Sequence, residues 1–115
     1  MLQNAKTFSS FSIDDLNRAK QFYGETLGLK VSEQPEGLQL DLDGGKVFLY
    51  PKRDHAAATF TVLNFIVDDV DATVEKAKAQ GGSVYREAHS QPQHGVKVAF
   101  IKDSDGHLIE IVEML

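Results

Sequence analysis

The chain contains no cysteine among its 115 residues. This absence excludes disulfide frameworks, thiolate metal sites and Cys nucleophiles. No apolar run approaches the roughly 18 residues that cross a bilayer. Residues 1–12 also lack the long apolar segment of a secretory signal. We therefore expect a cytoplasmic protein that has no membrane partner.

Basic residues are outnumbered, with 12 Lys and Arg against 17 Asp and Glu, and the net charge is −5. A nucleic-acid backbone would be repelled by this balance, and no basic stripe offsets it, so we expect no nucleic-acid partner. Neither a G-x-S-x-G elbow nor a glycine-rich phosphate loop is present, which removes the usual signatures of hydrolases and nucleotide-binding proteins. The apolar share of 42% and the charged share of 25% are typical of a globular domain.

The sequence repeats itself. The tetrapeptide IDDL at 13–16 returns as VDDV at 67–70, an offset of 54 residues. The segment 43–48 parallels 105–110 at an offset of 62 residues, the difference falling in a longer loop of the second half. Two halves of this size, about 1–53 and 59–115, are too small to be separate domains. We therefore predict a single domain, 1–115, in which the two modules share one core.

Each half has the periodicity of a strand, a helix and three further strands. Asp14 and Asp68 are the predicted N-caps of the helices, and Gly28 is a predicted helix stop. The order β-α-β-β-β, occurring twice, predicts an α+β fold. The predicted strands are 6–13, 29–33, 37–42 and 46–51 in the first half, and 61–67, 83–87, 96–101 and 107–113 in the second.

Three stretches of sequence resemble the vicinal oxygen chelate superfamily, which includes glyoxalases, bleomycin resistance proteins and extradiol dioxygenases. They are IDDLNRA at 13–19 with its continuation to Leu29, VDDVD at 67–71, and FIKDSDGHLIE at 100–110. The last is similar to the family ending F-x-x-D-P-D-G-N-x-x-E, with Ser104 in place of Pro and His107 in place of Asn. The resemblance implies tandem βαβββ modules that form a curved mixed sheet around a cleft.

In members of the family that use a metal, the resemblance implies one divalent ion held by residues from the first and last strand of each module. The matching positions here are Phe8, Phe48, Val62 and Glu110. Phe and Val side chains have no lone pair to donate, and a single carboxylate falls short of the three or more ligands that such ions require. We therefore expect no cofactor, with a divalent metal as the alternative.

Strand alternation adds polar and aromatic side chains that would face the cleft beside these positions. Glu110 is a candidate general base, or else a structural anchor hydrogen-bonded to a neighbouring polar side chain. His94 is a candidate catalytic residue in a loop that borders the family cleft, whereas His55 and His107 are expected to be exposed turn residues. The predicted ligand-binding set is Phe8, Ser10, Phe48, Tyr50, Val62, Asn64, Phe100 and Glu110.

These residues leave three functions open. The first is a metal-free cleft that binds a small organic ligand, in the manner of glyoxalase and bleomycin-resistance relatives. The second is a lyase, isomerase or dioxygenase of the same superfamily. The third is a structural or regulatory dimer whose cleft is filled by its own side chains. The resemblance implies a homodimer in each case, whereas the ligand's identity and the occurrence of catalysis are not determined by the sequence.

Overall fold

A computed structural model describes residues 1–115 and divides the chain into two compact units, Met1–Ala56 and Ala57–Leu115. Each unit has one four-stranded mixed sheet with its helix between the first and second strand. The α+β class and the repeated β-α-β-β-β order are therefore confirmed. No helix in the chain is long and apolar enough to cross a membrane.

The first unit has the sheet order β1-β4-β3-β2, with β1 parallel to β4 and the other pairs antiparallel. Its helix α1 continues directly into a π-helical segment and ends at Gly28, whose φ of 68° is the left-handed conformation expected of a helix stop. The elements are β1 Ser9–Ile13, α1 Leu16–Gln21, the π-helical segment Phe22–Thr26, β2 Val31–Gln34, β3 Gly37–Leu42 and β4 Gly45–Pro51.

The second unit repeats this arrangement with the order β5-β8-β7-β6, and β5 is parallel to β8. Its edge strand β6 is longer than the predicted 83–87, because register shifts let the strand continue to Gln91. The elements are β5 Thr61–Ile66, α2 Val70–Ala79, β6 Ser83–Gln91, a 3₁₀ turn Pro92–His94, β7 Val96–Lys102 and β8 Leu108–Met114.

Both helices begin one residue later than predicted. The caps are Asp15 and Asp69, whose side chains accept hydrogen bonds of 3.0 Å from the backbone N–H groups of Arg18 and Ala72. A capping carboxylate must immediately precede the first helical residue to reach these N–H groups, which excludes Asp14 and Asp68. The prediction of Asp14 as the N-cap was therefore wrong by one position.

The helix-facing side of each sheet forms the core of its unit. In the first unit Ile13, Val47 and Leu49 are buried, and the Phe11 ring lies 6.4 Å from that of Tyr23, between centroids. In the second unit Ile109 and Ile111 are buried in the same way. Successive side chains of a strand point to opposite faces, so the residues between them lie on the face that does not pack on the helix. We call this second side the open face of each sheet.

Candidate functional site

Two aromatic rings mark the open face of the first sheet. Phe48 and Tyr50, two residues apart on β4, stack with centroids 6.3 Å apart and an interplanar angle of 21°. Ser10 and Ser12 are their register partners on β1. The Tyr50 side chain is 36% exposed. This face therefore combines a flat apolar surface with hydroxyl groups of β1 and of Tyr50.

A carboxylate is held on the same face. Asp41 accepts a hydrogen bond of 2.7 Å from the Ser32 hydroxyl and one of 2.8 Å from the Gln39 amide, one on each oxygen. These two bonds, foremost that from Ser32, hold the pKa of Asp41 below its ordinary value, and Lys30 and Lys46 add to the effect. Both bonds favour the charged form, so Asp41 is a fixed negative charge near neutral pH.

Phe8 does not belong to the first strand. The strand β1 begins at Ser9, and the Phe8 side chain is 71% exposed. The predicted strand 6–13 is thus shorter at its start, because residues 6–8 have no register partner on β4.

The open face of the second sheet carries a row of side chains that crosses its strands. Asn64 on β5 is the register partner of Glu110 on β8, and Glu110 is in turn the partner of Phe100 on β7. Directly opposed side chains have Cβ atoms about 5 Å apart. Three of the predicted site residues are thereby neighbours, with the carboxylate of Glu110 between an amide and an aromatic ring.

Val62 lies at an irregular point of the second sheet. The register between β5 and β8 shifts between Thr61 and Leu63, so Val62 has no register partner on β8. Its side chain is half-buried.

His94 occupies an exposed position at the end of the 3₁₀ turn, and Gly95 follows it with a φ of 68°. The left-handed conformation of Gly95 reverses the chain into β7. The structure therefore places His94 on a surface turn and gives no hydrogen bond to its ring.

The expectation that His55 and His107 are exposed turn residues was wrong. His55 is half-buried, and its Nδ1 lies 2.8 Å from the Ser12 hydroxyl oxygen in a hydrogen bond. His107 is 2% exposed, and its Nδ1 accepts a hydrogen bond of 3.2 Å from the Ala58 backbone N–H. Each histidine lies at the end of a turn, but its ring is hydrogen-bonded to another segment of the same unit.

The sequence of this duplicated unit matches one family model over residues 9–111, that of the Glyoxalase/Bleomycin resistance protein/Dioxygenase superfamily. The chain belongs to this superfamily. The resemblance seen in the sequence is thereby confirmed over nearly the whole chain.

Individual members of the superfamily support the same assignment. A lactoylglutathione lyase of Haemophilus influenzae is 32% identical over 117 residues, covering 88% of this chain and 86% of the relative. The solved lactoylglutathione lyase of Agrobacterium tumefaciens has a TM-score of 0.76 at 22% identity, covering 98% of this chain and 96% of that one. A fosfomycin resistance protein of Listeria monocytogenes has a TM-score of 0.80 at 16% identity, covering 97% and 94%. The two structures establish the fold.

At the four positions that the resemblance matches to the superfamily's metal ligands, the donor chemistry does not fit a divalent ion. Phe8, Phe48 and Val62 offer hydrocarbon, and only Glu110 offers oxygen. No group of three or more His, Asp or Glu side chains elsewhere in the chain is placed to hold a metal. A divalent ion needs several such donors at once.

The helical side of the first unit has a cavity of about 450 Å³, and none of the predicted site residues lines it. Its walls come from α1, the π-helical segment and the start of β2. The lining residues are Asn17, Lys20, Gln21, Gly24, Glu25, Leu29 and Val31.

Sequence reasoning missed two features of the open faces. Asp41 follows Gln39 on β3 with buried Leu40 between them, so strict alternation would have placed both on the open face. Arg86 is the register partner of Phe100 only because β6 is irregular, and no sequence pattern announces such a shift.

Proposed function

We propose that this member of the superfamily binds a small organic ligand on an open face of its sheets, without the divalent metal that the superfamily can use. The observation that carries the proposal is the loss of donors at three of the four metal positions, Phe8, Phe48 and Val62. A ligand would then be held by stacking, apolar contact and hydrogen bonds instead of chelation.

The side chains of the open faces suit such binding. The stacked pair of Phe48 and Tyr50 offers a flat apolar surface, on which a planar ligand would bury area that is now exposed. Asn64 and Glu110 offer a donor and an acceptor at neighbouring register positions, beside the ring of Phe100. Few polar groups next to aromatic surface are typical of a small-molecule site.

Thermal melting with metals and with ligands tests the proposal. We expect no stabilisation by zinc, nickel, manganese or magnesium ions, and stabilisation by a member of a panel of aldehydes, catechols and glycopeptide antibiotics, because a ligand stabilises only the state that it binds. Elemental analysis of the purified protein is the companion measurement. One tightly held equivalent of metal per chain, or a panel without effect, would overturn the proposal.

Glu110→Gln tests the polar part of the site. The substitution keeps the size of the side chain and removes its charge, so we expect the ligand-induced rise in melting temperature to be lost or strongly reduced. The matched control is Glu36→Gln, which removes the same charge from an exposed turn of the first unit. An equal ligand-induced rise in melting temperature in the two variants would show that Glu110 does not contact the ligand.

The second candidate function is a lyase. It is favoured by the lactoylglutathione lyase of Haemophilus influenzae, which is 32% identical to this chain. Without a full set of metal ligands, the proton transfer would rest on Glu110 as general base. Lactoylglutathione lyase activity, measured with and without added metal, distinguishes the candidates: metal-independent activity that Glu110→Gln abolishes supports the lyase, and no activity favours the binding protein.

We further propose that the protein acts in the cytoplasm and that it forms a homodimer, the latter as the family resemblance implies. Light scattering of the purified chain should give twice the chain mass of 12.7 kDa. A purely structural dimer, the third possibility, would show this mass and no ligand response in the melting experiment.

A further inference from the structure

The edge strand β6 contains an extra residue opposite Phe100 of β7. Val84 is the register partner of Ile101 on β7, but the next pair joins Arg86 to Phe100. Two residues of β6, Tyr85 and Arg86, therefore oppose one residue of β7, which defines a β-bulge. Bulges of this kind redirect side chains and are common beside functional sites.

Two cationic residues and two aromatic residues lie at or beside the bulge on β6 and β7. The Lys102 ammonium lies 5.0 Å from the centroid of the Tyr85 ring, a cation–π contact. Lys102 and Phe100 are two residues apart on β7 and share one face of the strand. The register pairing with Phe100 assigns the Arg86 side chain to the same open face, where Tyr85 contacts Lys102.

The acidic side chains near these cations do not pair with them. Glu87, next to Arg86 in the chain, pairs with Lys78 of α2 at 3.0 Å. The other acid of this row, Glu110, is separated from Arg86 by the strand β7. Arg86 and Lys102 form no ion pair within their unit, and both side chains are exposed.

The row of Arg86, Phe100 and Glu110 has opposite charges at its two ends. Arg86, Phe100 and Glu110 lie on three adjacent strands, so the first and last are roughly 10 Å apart at a strand spacing of about 4.8 Å. One end of the row is cationic, the centre is an aromatic ring, and the other end presents Glu110 with the Asn64 amide. A ligand that fits must be anionic at one end, apolar in the middle and a hydrogen-bond donor at the other end.

We propose that Arg86 and Lys102 bind the carboxylate of a small aryl carboxylic acid whose ring covers Phe100 and whose far end donates a hydrogen bond to Glu110. This proposal names the ligand class for the function proposed above, and it rests on that function. A guanidinium binds a carboxylate through two parallel hydrogen bonds, which gives both affinity and orientation. Glu110 repels a second anionic group, so the proposal selects monoanions.

Titration of the isotopically labelled full chain by nuclear magnetic resonance tests the ligand class. The probes are phloretic acid, in which a phenol is joined to a carboxylate by a two-carbon chain, and its primary amide. We expect the acid to shift the amide signals of β6, β7 and β8, and to bind at least about tenfold more tightly than the amide, since charge-assisted bonds are roughly twice as strong as neutral ones.

Variants assign this preference to the two cations. In the double variant Arg86→Gln/Lys102→Gln, phloretic acid should bind no more tightly than its amide. The affinity for the amide should be the same as in the parent chain. The control, Lys52→Gln with Arg53→Gln, removes the same charge from exposed positions of the first unit and should keep the preference of the parent chain.

The failures are distinguishable. If the amide binds this face as tightly as the acid, the carboxylate assignment is wrong and the proposed function stands. If neither probe shifts any signal of β6, β7 or β8, the ligand class is wrong, and the melting panel decides separately whether the proposed function falls with it. An unchanged preference in the double variant would overturn the assignment to Arg86 and Lys102.

Discussion

At the scale of single residues, the two open faces differ in how the carboxylate on each face is bound by its neighbours. Asp41 has a donor on each carboxylate oxygen, Ser32 and Gln39, while Glu110 has an amide side chain as its register neighbour. The two carboxylates therefore have different roles. Asp41 is fixed by its own unit, and Glu110 remains the better candidate for contact with a ligand.

Asp41→Asn should lower the melting temperature modestly at pH 7 and have less effect at low pH. The folded-state pKa of Asp41 lies below its ordinary value of 3.8, mainly because Ser32 donates to it. A lowered pKa stabilises the fold above the unfolded value, and that stability is lost as the pH falls through the folded value. Melting curves from pH 7 down to pH 2 measure the difference between the variant and the parent chain.

The control for this prediction is Asp43→Asn, an exposed position in the turn after β3. It removes the same charge without removing the acceptor of the Ser32 and Gln39 bonds. The prediction is wrong if the melting-temperature difference between Asp41→Asn and the parent chain stays constant with pH, or if Asp43→Asn shows the same difference. Either result would show that the Ser32 and Gln39 hydrogen bonds do not stabilise the charged form of Asp41.

At the scale of the elements, the predictable part of the fold is the part that repeats. The strand β3 has the predicted bounds, and α2 ends where predicted. In these segments the apolar periodicity and the neighbouring glycines indicate the same boundaries. The register shifts of β6 depend on its pairing with β7, and the burial of His107 depends on packing with the segment that contains Ala58. No local pattern encodes them, so Arg86 could not be assigned to the site from the sequence.

The pairing of β3 with β4 depends on one glycine. A Cβ atom added to Gly37 would lie 2.1 Å from the Leu49 carbonyl oxygen and 3.1 Å from the Phe48 ring. Gly37→Ala must move the strands apart and should destabilise the chain by about 1–3 kcal/mol, the usual cost of overpacking. Urea unfolding measures this loss of free energy.

The comparison for that prediction is Gly44→Ala, in the turn before β4, where an added Cβ meets nothing within 4 Å. We expect its unfolding midpoint to stay close to that of the parent chain. Equal midpoints for the two variants would mean that β3 and β4 accommodate the methyl group without cost, and that the close approach at Gly37 does not constrain the sheet.

At the scale of the whole molecule, duplication has preserved the architecture while the chemistry of the two halves has diverged. Both units have the same strand order and the same capping aspartate. The first open face carries a stacked aromatic pair and a fixed carboxylate, whereas the second carries a row that is cationic at one end and acidic at the other. Membership in the superfamily therefore fixes the fold, and the ligand has to be argued from particular side chains.

The net charge of −5 predicts how the molecule responds to acid. Solubility at low salt should be lowest near the isoelectric point of about 5.2, where mutual repulsion vanishes. Neutralising the surface charge does not by itself unfold the chain, so the precipitate should redissolve as folded protein on return to pH 7, where the net charge is again −5. Glu36→Lys, at an exposed turn, should move the solubility minimum to higher pH, and turbidity against pH measures it. Precipitate that redissolves without the native melting transition would show instead that acid unfolds the chain before it neutralises the surface.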